Sequence, residues 1–406
     1  MNKIDLVIKA RSPLSLGKKK PGSVSEAENY IRGSVIRGAI ASVMLSESGQ
    51  QNRDLSENGG DFQEIFLGEN AAIFHDAYPN QNEQSQVQIL PATALSSKND
   101  PGFRPSGNGV FDTLIDRFCA EGHGHPYDPN CPTDGNRVEP YQAFYTCDRD
   151  KYKTHSVSKR LLTRVGINRR RATAEEDILY SLEVLNESQK NGNEYQPATY
   201  TGSILVENDA IANKLIDFIN HRSFRLGGAT SRGLGKVDIQ AYCGKIEDDI
   251  FSKIEKFNDR LQNRWQQWSS LFGEPENSLL ADQRTYFTID LQSDAILKEN
   301  WIRTTVISEN LLQEYAGVRD SSLQLHVAYS SYDYISGWNA AWGRMKDIEL
   351  ITNQSAVYLY STANPDLWED GFKQLETKGV GDRTNEGFGQ LQICHLFHLV
   401  LREEAK

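Results

Sequence analysis

Cationic side chains are concentrated in two segments of this sequence that contain no acidic residue. Residues 151–171 read KYKTHSVSKRLLTRVGINRRR and carry eight Lys or Arg. Residues 222–236 read RSFRLGGATSRGLGK and carry four more. Charges more than roughly 8 Å apart are largely screened at physiological salt, so phosphate backbones are bound by local clusters of this kind. The two segments therefore predict contact with nucleic acid, and the alternative is a solvated charged face.

Two glycine-rich segments form an internal repeat. GLGKVDI at residues 233–239 recurs as GFGQLQI at 387–393, and each copy follows a helical pattern and a glycine-rich turn. Glycines let the chain approach a phosphate and present successive N–H groups to it, while Arg232 and Arg383 add charge. Neither segment is a Walker motif, because Val237 stands where that motif needs Ser or Thr. The repeat predicts a duplicated unit with two anion-binding loops, and the alternative is simple turn chemistry.

An earlier segment, YIRGSVIRGAIASVM, repeats an Arg-Gly step at Arg32 and Arg37 before an apolar helix. A helix N-terminus favours an anion through its free amides and its dipole. This segment is therefore a third candidate for phosphate contact, and the alternative is a helix start with exposed arginines.

One histidine lies inside the first basic segment. His155 has Lys153 and Lys159 close to it in sequence, and a histidine among cations can act as general base on a ribose 2′-hydroxyl. A histidine that contacts or stacks on RNA is the preferred interpretation, and catalysis is the alternative.

A candidate metal site lies at residues 118–131, FCAEGHGHPYDPNC. Cys119, His123, His125 and Cys131 provide thiolate and imidazole ligands suited to structural zinc, with Cys147 as a further ligand. The alternative is that these are unliganded loop residues.

The composition restricts the function classes. The chain has 406 residues with 44 basic and 55 acidic side chains, for a net charge of −11, which excludes a nonspecific basic coat for nucleic acid. The longest apolar runs are too short to cross a membrane, and the alternating residues 4–11 predict a strand rather than a signal peptide. Five cysteines indicate a reducing cytoplasm rather than a disulfide framework.

The repeat divides the chain. We expect an N-terminal unit at 1–245 with a polar insertion of loops at about 50–154, a linking amphipathic helix within 246–283, and a C-terminal unit at 284–406. The helix is predicted from apolar residues spaced three or four apart, and we expect it to pack the two units together. The mixture of strands and few helices favours an α+β fold with an antiparallel sheet and helices on one face.

These motifs together resemble the RAMP superfamily, the RNA-binding subunits of CRISPR effector complexes. The resemblance is carried by IRGSVIRGAIA, TRVGINRRRATAEEDILYSLEVL, GGATSRGLGKV and GVGDRTNEGFGQL. Their order is similar to that of the Csx-ten type of subunit, of the Cas-five group, from type III-D systems. The resemblance implies tandem ferredoxin-like, RNA-recognition-type domains with glycine-rich loops. It also implies a subunit that grips the repeat-derived 5′ tag of the guide RNA (crRNA) and caps the hetero-oligomeric complex beside the large Cas-ten subunit.

The basic segments and the resemblance together give one set of predicted RNA contacts. They are Arg32, Arg37, Lys153, His155, Lys159, Arg160, Arg164, Asn168, Arg169, Arg170, Arg171, Arg225, Gly227, Gly228, Arg232, Gly233, Lys236 and Arg383. The expected partners are guide RNA, target RNA and other effector subunits, with no membrane. Two other functions stay open, an endoribonuclease that uses His155 and a scaffold that contacts only proteins.

Overall fold

The computed structural model describes residues 1–18, 26–49, 54–57, 59–68, 70–81, 85–168, 173–191, 194–246, 249–275, 279–280, 283–339 and 343–406. These residues form a mixed α+β structure of antiparallel sheets, as the sequence predicts. The helices are α1 (Gly33–Ser48), α2 (Gly60–Phe66), α3 (Leu114–Gly122), α4 (Asp209–Asn220), α5 (Ile250–Phe272), α6 (Glu309–Ala316) and α7 (Glu369–Lys378).

The strands are short except in the two main sheets and one long hairpin. In chain order they are β1 (Asn2–Ala10), β2 (Gly17–Lys18), β3 (Glu26–Ala27), β4 (Ile73–Phe74), β5 (Tyr78–Pro79), β6 (Gln88–Ile89), β7 (Ala94–Ser97), β8 (Val110–Asp112), β9 (Val138–Pro140), β10 (Phe144–Asp148), β11 (Lys151–His155), β12 (Lys159–Asn168), β13 (Thr173–Leu185), β14 (Ser188–Asn191), β15 (Glu194–Pro197), β16 (Thr199–Val206), β17 (Phe224–Arg225), β18 (Lys236–Cys243), β19 (Thr285–Leu291), β20 (Leu297–Glu299), β21 (Ile302–Thr304), β22 (Gln324–Tyr329), β23 (Tyr332–Ile335), β24 (Trp338–Asn339), β25 (Arg344–Met345), β26 (Glu349–Thr352), β27 (Val357–Thr362) and β28 (Leu391–Ile393).

The first unit is a sheet with two helices on one face. Its main elements follow the order β1, α1, β4, β16, α4, β18, and the strands lie across the sheet as β17-β18-β1-β16-β4, with β5 also paired to β16. Alternation along β1 sends Ile4, Leu6 and Ile8 into the core against α1 and α4. The Asn208 side chain caps α4 by accepting hydrogen bonds from two first-turn amides.

The second unit repeats this arrangement. Its elements follow the order β19, α6, β22, β27, α7, β28, and the strands lie across the sheet as β22-β27-β19-β28. The amide of Leu311 donates a hydrogen bond of 3.1 Å to Ser308 Oγ, which caps α6. Phe287 lies at the centre of the core, with ring centroids 4.9 Å from Phe372 and 5.6 Å from Trp368.

The repeated glycine segments share one backbone conformation. Positive φ angles occur at positions 227, 229, 233 and 235, and again 154 residues later at 381, 383, 387 and 389. The surrounding contacts match as well: the amide of Lys236 donates to Ser12 Oγ at 2.8 Å, and the amide of Gln390 donates to Ser293 Oγ at 2.9 Å. The repeat seen in the sequence is therefore a repeat of structure.

The insertion shares its core with the second unit. Leu114, Ile115 and Phe118 of α3 are buried in one cluster with the second sheet and with Trp265 of α5. A second cluster joins the insertion to Phe397 and neighbouring residues near the end of the chain. We expected a polar insertion of loops at about 50–154, and the structure adds core elements within that range: β4 of the first sheet and the amphipathic helix α3, whose apolar face is buried against the second unit.

α5 has the expected amphipathic face, and Ile250, Ile254, Phe257, Leu261 and Trp265 are buried along it. These side chains pack on the second sheet and on α3, and the described residues of this cluster include none from the first sheet. α5 therefore packs against the second sheet and, through α3, against the insertion of the N-terminal unit.

A buried histidine ties three parts of the chain together. His398 Nδ1 lies 3.0 Å from Asp112 Oδ1 in the insertion, and His398 Nε2 lies 2.8 Å from Asp290 Oδ1 in the second sheet. All three side chains are almost completely buried. Asp112 also accepts a hydrogen bond of 2.8 Å from the amide of Leu114 at the start of α3.

Within the described part of the chain, every helix is too short or too polar to cross a membrane.

Candidate nucleic-acid interface

The long hairpin β12–β13 brings the two predicted basic segments together. Arg164 and Tyr180 face each other across the hairpin. The Arg232 guanidinium, from the first glycine loop, lies over the Tyr180 ring at 5.5 Å and donates to its hydroxyl. Arg164 in turn donates to the backbone carbonyl of Arg232 at 3.2 Å. Segments 68 residues apart in sequence thus form one basic surface, which we call the hairpin–loop surface: Arg164, Tyr180, Arg225, Arg232 and Lys236.

Tyr180 is the residue of this surface that sequence reasoning missed. Its position opposite Arg164 depends on the register of the hairpin, which has an irregularity between Val165 and Ile167. The sequence offers one signal for this contact, an aromatic residue in an alternating strand that follows a run of arginines. The signal does not identify Arg232 as the partner of Tyr180 unless the register of the hairpin is known.

The other cations of the two segments differ in how they are held. Arg225 and Lys236 are exposed beside the loop, and Arg225 donates to the carbonyl of Leu234 at 3.1 Å. Lys159 and Arg160 have acidic neighbours, Glu183 at 3.6 Å and Glu187 at 2.9 Å respectively. Lys153 is exposed on β11 and Asn168 ends β12, whereas Arg169, Arg170 and Arg171 lie outside the described residues.

The glycines of the first loop shape its backbone rather than present its amides to an anion. The amide of Gly228 donates to Ser15 O at 2.8 Å, and that of Gly233 donates to Thr230 O at 3.3 Å. A Cβ at Gly227 would lie 2.4 Å from Ser15 O, so this close backbone contact needs glycine. We expected the amides of Gly227, Gly228 and Gly233 to bind an anion together, but the amides of Gly228 and Gly233 already donate to backbone carbonyls. The basic side chains of the loop are therefore the groups that can bind a phosphate.

The second glycine loop is docked on the first unit. A Cβ at Gly387 would lie 2.8 Å from both Phe74 O and Asp76 Oδ1, and 3.3 Å from the Cα of Gly33 at the start of α1. The amide of Gly33 donates to Asp76 Oδ1 at 2.7 Å. Burial raises the pKa of Asp76 to about 8 even though Arg32 is close to it. Asp76 therefore occupies the start of α1, where an external anion would have to bind, and the second loop packs against both.

Three arginines predicted to contact RNA lie in or beside this docked region. Arg32 has ion pairs of 2.8 Å with Glu28 and 3.0 Å with Asp294, and its side chain is 13% exposed. An RNA contact by Arg32 would break both ion pairs, so the structure gives it a role in joining the units instead.

Arg37 and Arg383 are held in a similar way. Arg37 donates to the carbonyl of Phe66 at 2.7 Å, and burial lowers its pKa. Arg383 donates to Glu386 at 2.5 Å and lies over the ring of Phe388 at 4.8 Å. These contacts assign both side chains to intramolecular packing rather than to the hairpin–loop surface.

His155 is buried, contrary to the expectation that it faces RNA. It is 3% exposed, its Nε2 lies 2.9 Å from Thr146 Oγ1, and its Nδ1 accepts a hydrogen bond from the amide of Gln81 at 3.4 Å. Burial lowers the pKa of His155 to about 4. Neither a general base for an RNA substrate nor a stacking surface is available at this position, because β10 and β11 enclose the ring.

The histidines of the predicted zinc site pack on α5. His123 Nδ1 donates to the carbonyl of Cys119 at 2.7 Å, and its Nε2 lies 3.0 Å from Ser269 Oγ. The ring of His125 packs on Phe272, with centroids 4.2 Å apart. Both rings therefore contact the helix rather than converge on one point.

The cysteines of the site are buried separately. Cys119 lies in the core of the second unit, where burial raises the pKa of its thiol to about 12. Cys131 Sγ lies 3.8 Å from Asn108 O. Among the residues that the structure describes, no group of three His, Cys, Asp or Glu side chains is arranged to hold a metal ion. Zinc therefore does not fit these four residues as they are placed.

Comparisons with known proteins give the family of the chain. A chain of the type III-B Cmr-beta complex bound to cognate target RNA and AMPPnP is 13% identical over 87% of this chain and 86% of its own, with a TM-score of 0.43. Oligomeric Cmr4 from Pyrococcus furiosus is 13% identical over 60% of this chain and 99% of its own, with a TM-score of 0.27. No curated protein matches the sequence. The model of the RAMP superfamily matches residues 8–238, more than half of the 406 residues. The chain belongs to the RAMP superfamily.

Proposed function

We propose that this protein is a guide-RNA-binding subunit of a type III CRISPR ribonucleoprotein effector and that it holds RNA on the hairpin–loop surface. The observation that carries the proposal is the contact of Arg164, Tyr180 and Arg232 on a chain of the RAMP superfamily. The Arg232 guanidinium uses one N–H on the Tyr180 hydroxyl, and a guanidinium has four further N–H donors that suit a phosphate. Exposed Arg225 and Lys236 extend the same positive surface.

The strand order of each unit supports the inference that both are ferredoxin-like. In both, the order β-α-β-β-α-β is combined with a sheet in which the first and third main strands are central. RNA-recognition domains use this architecture to contact single-stranded RNA. The resemblance extends the proposal to a Csx-ten type subunit of a type III-D system that grips the 5′ tag of the guide beside the large Cas-ten subunit, in the cytoplasm.

Because the second glycine loop is docked on the first unit, we propose that RNA binds at the first loop only. The first loop carries Arg232 at the position where the second loop carries Glu386, and Glu386 is paired with Lys346 at 3.0 Å. The whole chain has a net charge of −11, so the residues outside the two basic segments are acidic on balance, which suits protein neighbours rather than RNA.

The test is binding of labelled repeat-tag RNA by the full chain before and after Arg164 and Arg232 are both changed to Ala. Because neutralised phosphates release counterions, we expect weaker binding and a salt slope smaller by about 0.7 for each phosphate that is no longer neutralised. Arg222→Ala is the matched control, since Arg222 lies in the same acid-free segment but pairs with Glu47 at 2.6 Å. Unchanged, salt-insensitive binding by the double variant would refute the proposal and favour a scaffold that contacts only proteins.

A further inference from the structure

We propose that a cleft between the two units holds unpaired bases of the bound RNA; this inference rests on the proposed function. The cleft has a volume of about 1270 Å³. Pockets for small molecules are typically about 300–1,000 Å³, so this cleft is large enough for a polymer segment.

One wall of the cleft is the face of the first sheet that carries no helix. Asp5, Ser203 and Tyr242 are neighbours across β16, β1 and β18, and all three line the cleft. The core residues of these strands point the other way, toward α1 and α4. The face of an RNA-recognition sheet opposite its helices is the one that stacks bases on aromatic side chains. Tyr242 offers such a ring, 44% exposed.

Side-chain amides are the dominant polar groups of the cleft. They come from both units: Gln86, Gln88, Gln292, Gln374, Gln390 and Gln392. An amide carries both donors and acceptors, which is the combination that reads the hydrogen-bonding edges of bases. Lys3, Lys245, Lys253 and Lys373 also line the cleft. Lys3 is paired with Asp5, Lys253 with Asp249 and Lys373 with Glu369. The amides rather than the lysines are therefore the groups that favour bases in this cleft.

Gln390 points to an occupant more directly than the other amides. Its backbone is fixed, because its amide donates to Ser293 Oγ at 2.9 Å and its carbonyl accepts from the amide of Gln292 at 2.7 Å. Its side-chain Nε2 is shielded from solvent and makes no hydrogen bond with any residue that the structure describes. A buried donor without a partner is unfavourable, so a ligand acceptor at this position would stabilise the cleft.

His75 adds a neutral ring to the same wall. Its Nδ1 lies 3.0 Å from Ser203 Oγ, and burial lowers its pKa to about 4. The imidazole is therefore uncharged at neutral pH and hydrogen-bonds without adding to the charge of the cleft.

The experiment crosslinks guide RNA that carries 4-thiouridine to the full chain and measures affinity for the same RNA. We expect crosslinked peptides that contain Tyr242 and residues 390–392. Tyr242→Ala should weaken binding roughly 5- to 150-fold, the range for removal of one base stack. Tyr195→Ala is the control, because Tyr195 is 75% exposed on β15 outside the cleft. Gln392→Ala provides a second variant if Tyr242→Ala lowers the melting temperature.

The outcomes separate the two proposals. If RNA binds but both cleft variants keep wild-type affinity, and crosslinks occur only on the hairpin–loop surface, the cleft inference is overturned and the proposed function stands. If the unaltered chain binds no RNA, both are overturned.

Discussion

Arg32 and Asp294 are 262 residues apart in sequence, and their side chains form an ion pair of 3.0 Å that joins the two units. Glu28 shares the same guanidinium at 2.8 Å, and the Tyr30 hydroxyl donates to Asp294 at 3.3 Å. Glu28 and Asp294 are both buried, so without Arg32 their carboxylates would have neither water nor a positive charge beside them. The pair therefore couples the docking of the second glycine loop to the stability of the whole chain.

Removing the Arg32 charge should strongly destabilise the protein. Arg32→Met keeps much of the side-chain volume but leaves Glu28 and Asp294 unpaired, and we expect the free energy of unfolding to fall by about 3–5 kcal/mol. The measurement is chemical denaturation. Lys98→Ala is the control, because Lys98 pairs with Glu139 on the surface. Its loss should lower the free energy of unfolding by less than about 1 kcal/mol.

A double variant distinguishes the ion pair from simple loss of packing. If loss of the ion pair causes the destabilisation, Arg32→Met combined with Asp294→Leu should lower the free energy of unfolding by less than the sum of the two single changes. Additive effects, or a loss below about 1 kcal/mol for Arg32→Met, would contradict a structural role for Arg32.

The pair of carboxylates around His398 predicts a loss of stability at high pH. Burial alone would lower the pKa of His398, but Asp112 and Asp290 raise it from 6.5 to about 10. A pKa raised by folding contributes stability that is complete below the unfolded value and is lost as the pH rises through the folded value. We therefore expect the wild type to have a much larger free energy of unfolding than His398→Gln near pH 6, and this difference to shrink toward pH 10.

Urea denaturation of both proteins across this pH range measures the effect. At pH 6 the variant should lose about 3–5 kcal/mol, because two buried carboxylates lose their partner. His221→Gln is the matched control, since His221 is exposed at the end of α4. Parallel pH profiles for wild type and His398→Gln would show that His398 is not charged in the folded protein.

The separate burial of the zinc candidates predicts a protein without stoichiometric zinc. Cys119 and Cys131 are enclosed by different neighbours, and His123 and His125 contact α5. Elemental analysis of the purified chain should therefore give far less than one zinc per molecule, and a chelator should leave the melting temperature unchanged. One zinc per chain that is lost in Cys131→Ser would mean that this loop is arranged differently in solution.

The sequence predicts local features well where one pattern determines the structure. The spacing of Ile250, Ile254, Phe257 and Leu261 gives α5, and the matched glycines give two loops with the same positive φ angles. Neither prediction requires knowledge of what lies next to the element.

Burial by a distant segment is what the sequence does not reveal. His155 lies in a basic segment but is enclosed by β10, and Arg32 lies beside a glycine but meets Asp294 from the other unit. In both cases a charge-rich sequence is compatible with a surface position or a buried one, and only the tertiary contacts decide between them. The acids Asp382 and Glu386 stand where the first loop has Gly228 and Arg232, and this difference in sequence already separates the docked loop from the exposed one.

Arg232 and Glu386 occupy matched positions in the repeat, each closing a 3-10 turn, so we expect RNA binding to depend on the arginine of the first loop and not on that of the second. Arg232→Ala should weaken RNA binding by about 1.5–3 kcal/mol, the range for a hydrogen bond to a charged group. Arg232→Glu, which copies the second loop, should weaken it further because it places a negative charge beside the phosphates. Arg383→Ala should leave RNA affinity unchanged, since Arg383 is engaged by Glu386. The measurement is a fluorescence titration with repeat-tag RNA at two salt concentrations, with melting temperatures as the check on folding. Equal losses for Arg232→Ala and Arg383→Ala would mean that both loops contact RNA and that the second loop leaves its docked position when RNA binds.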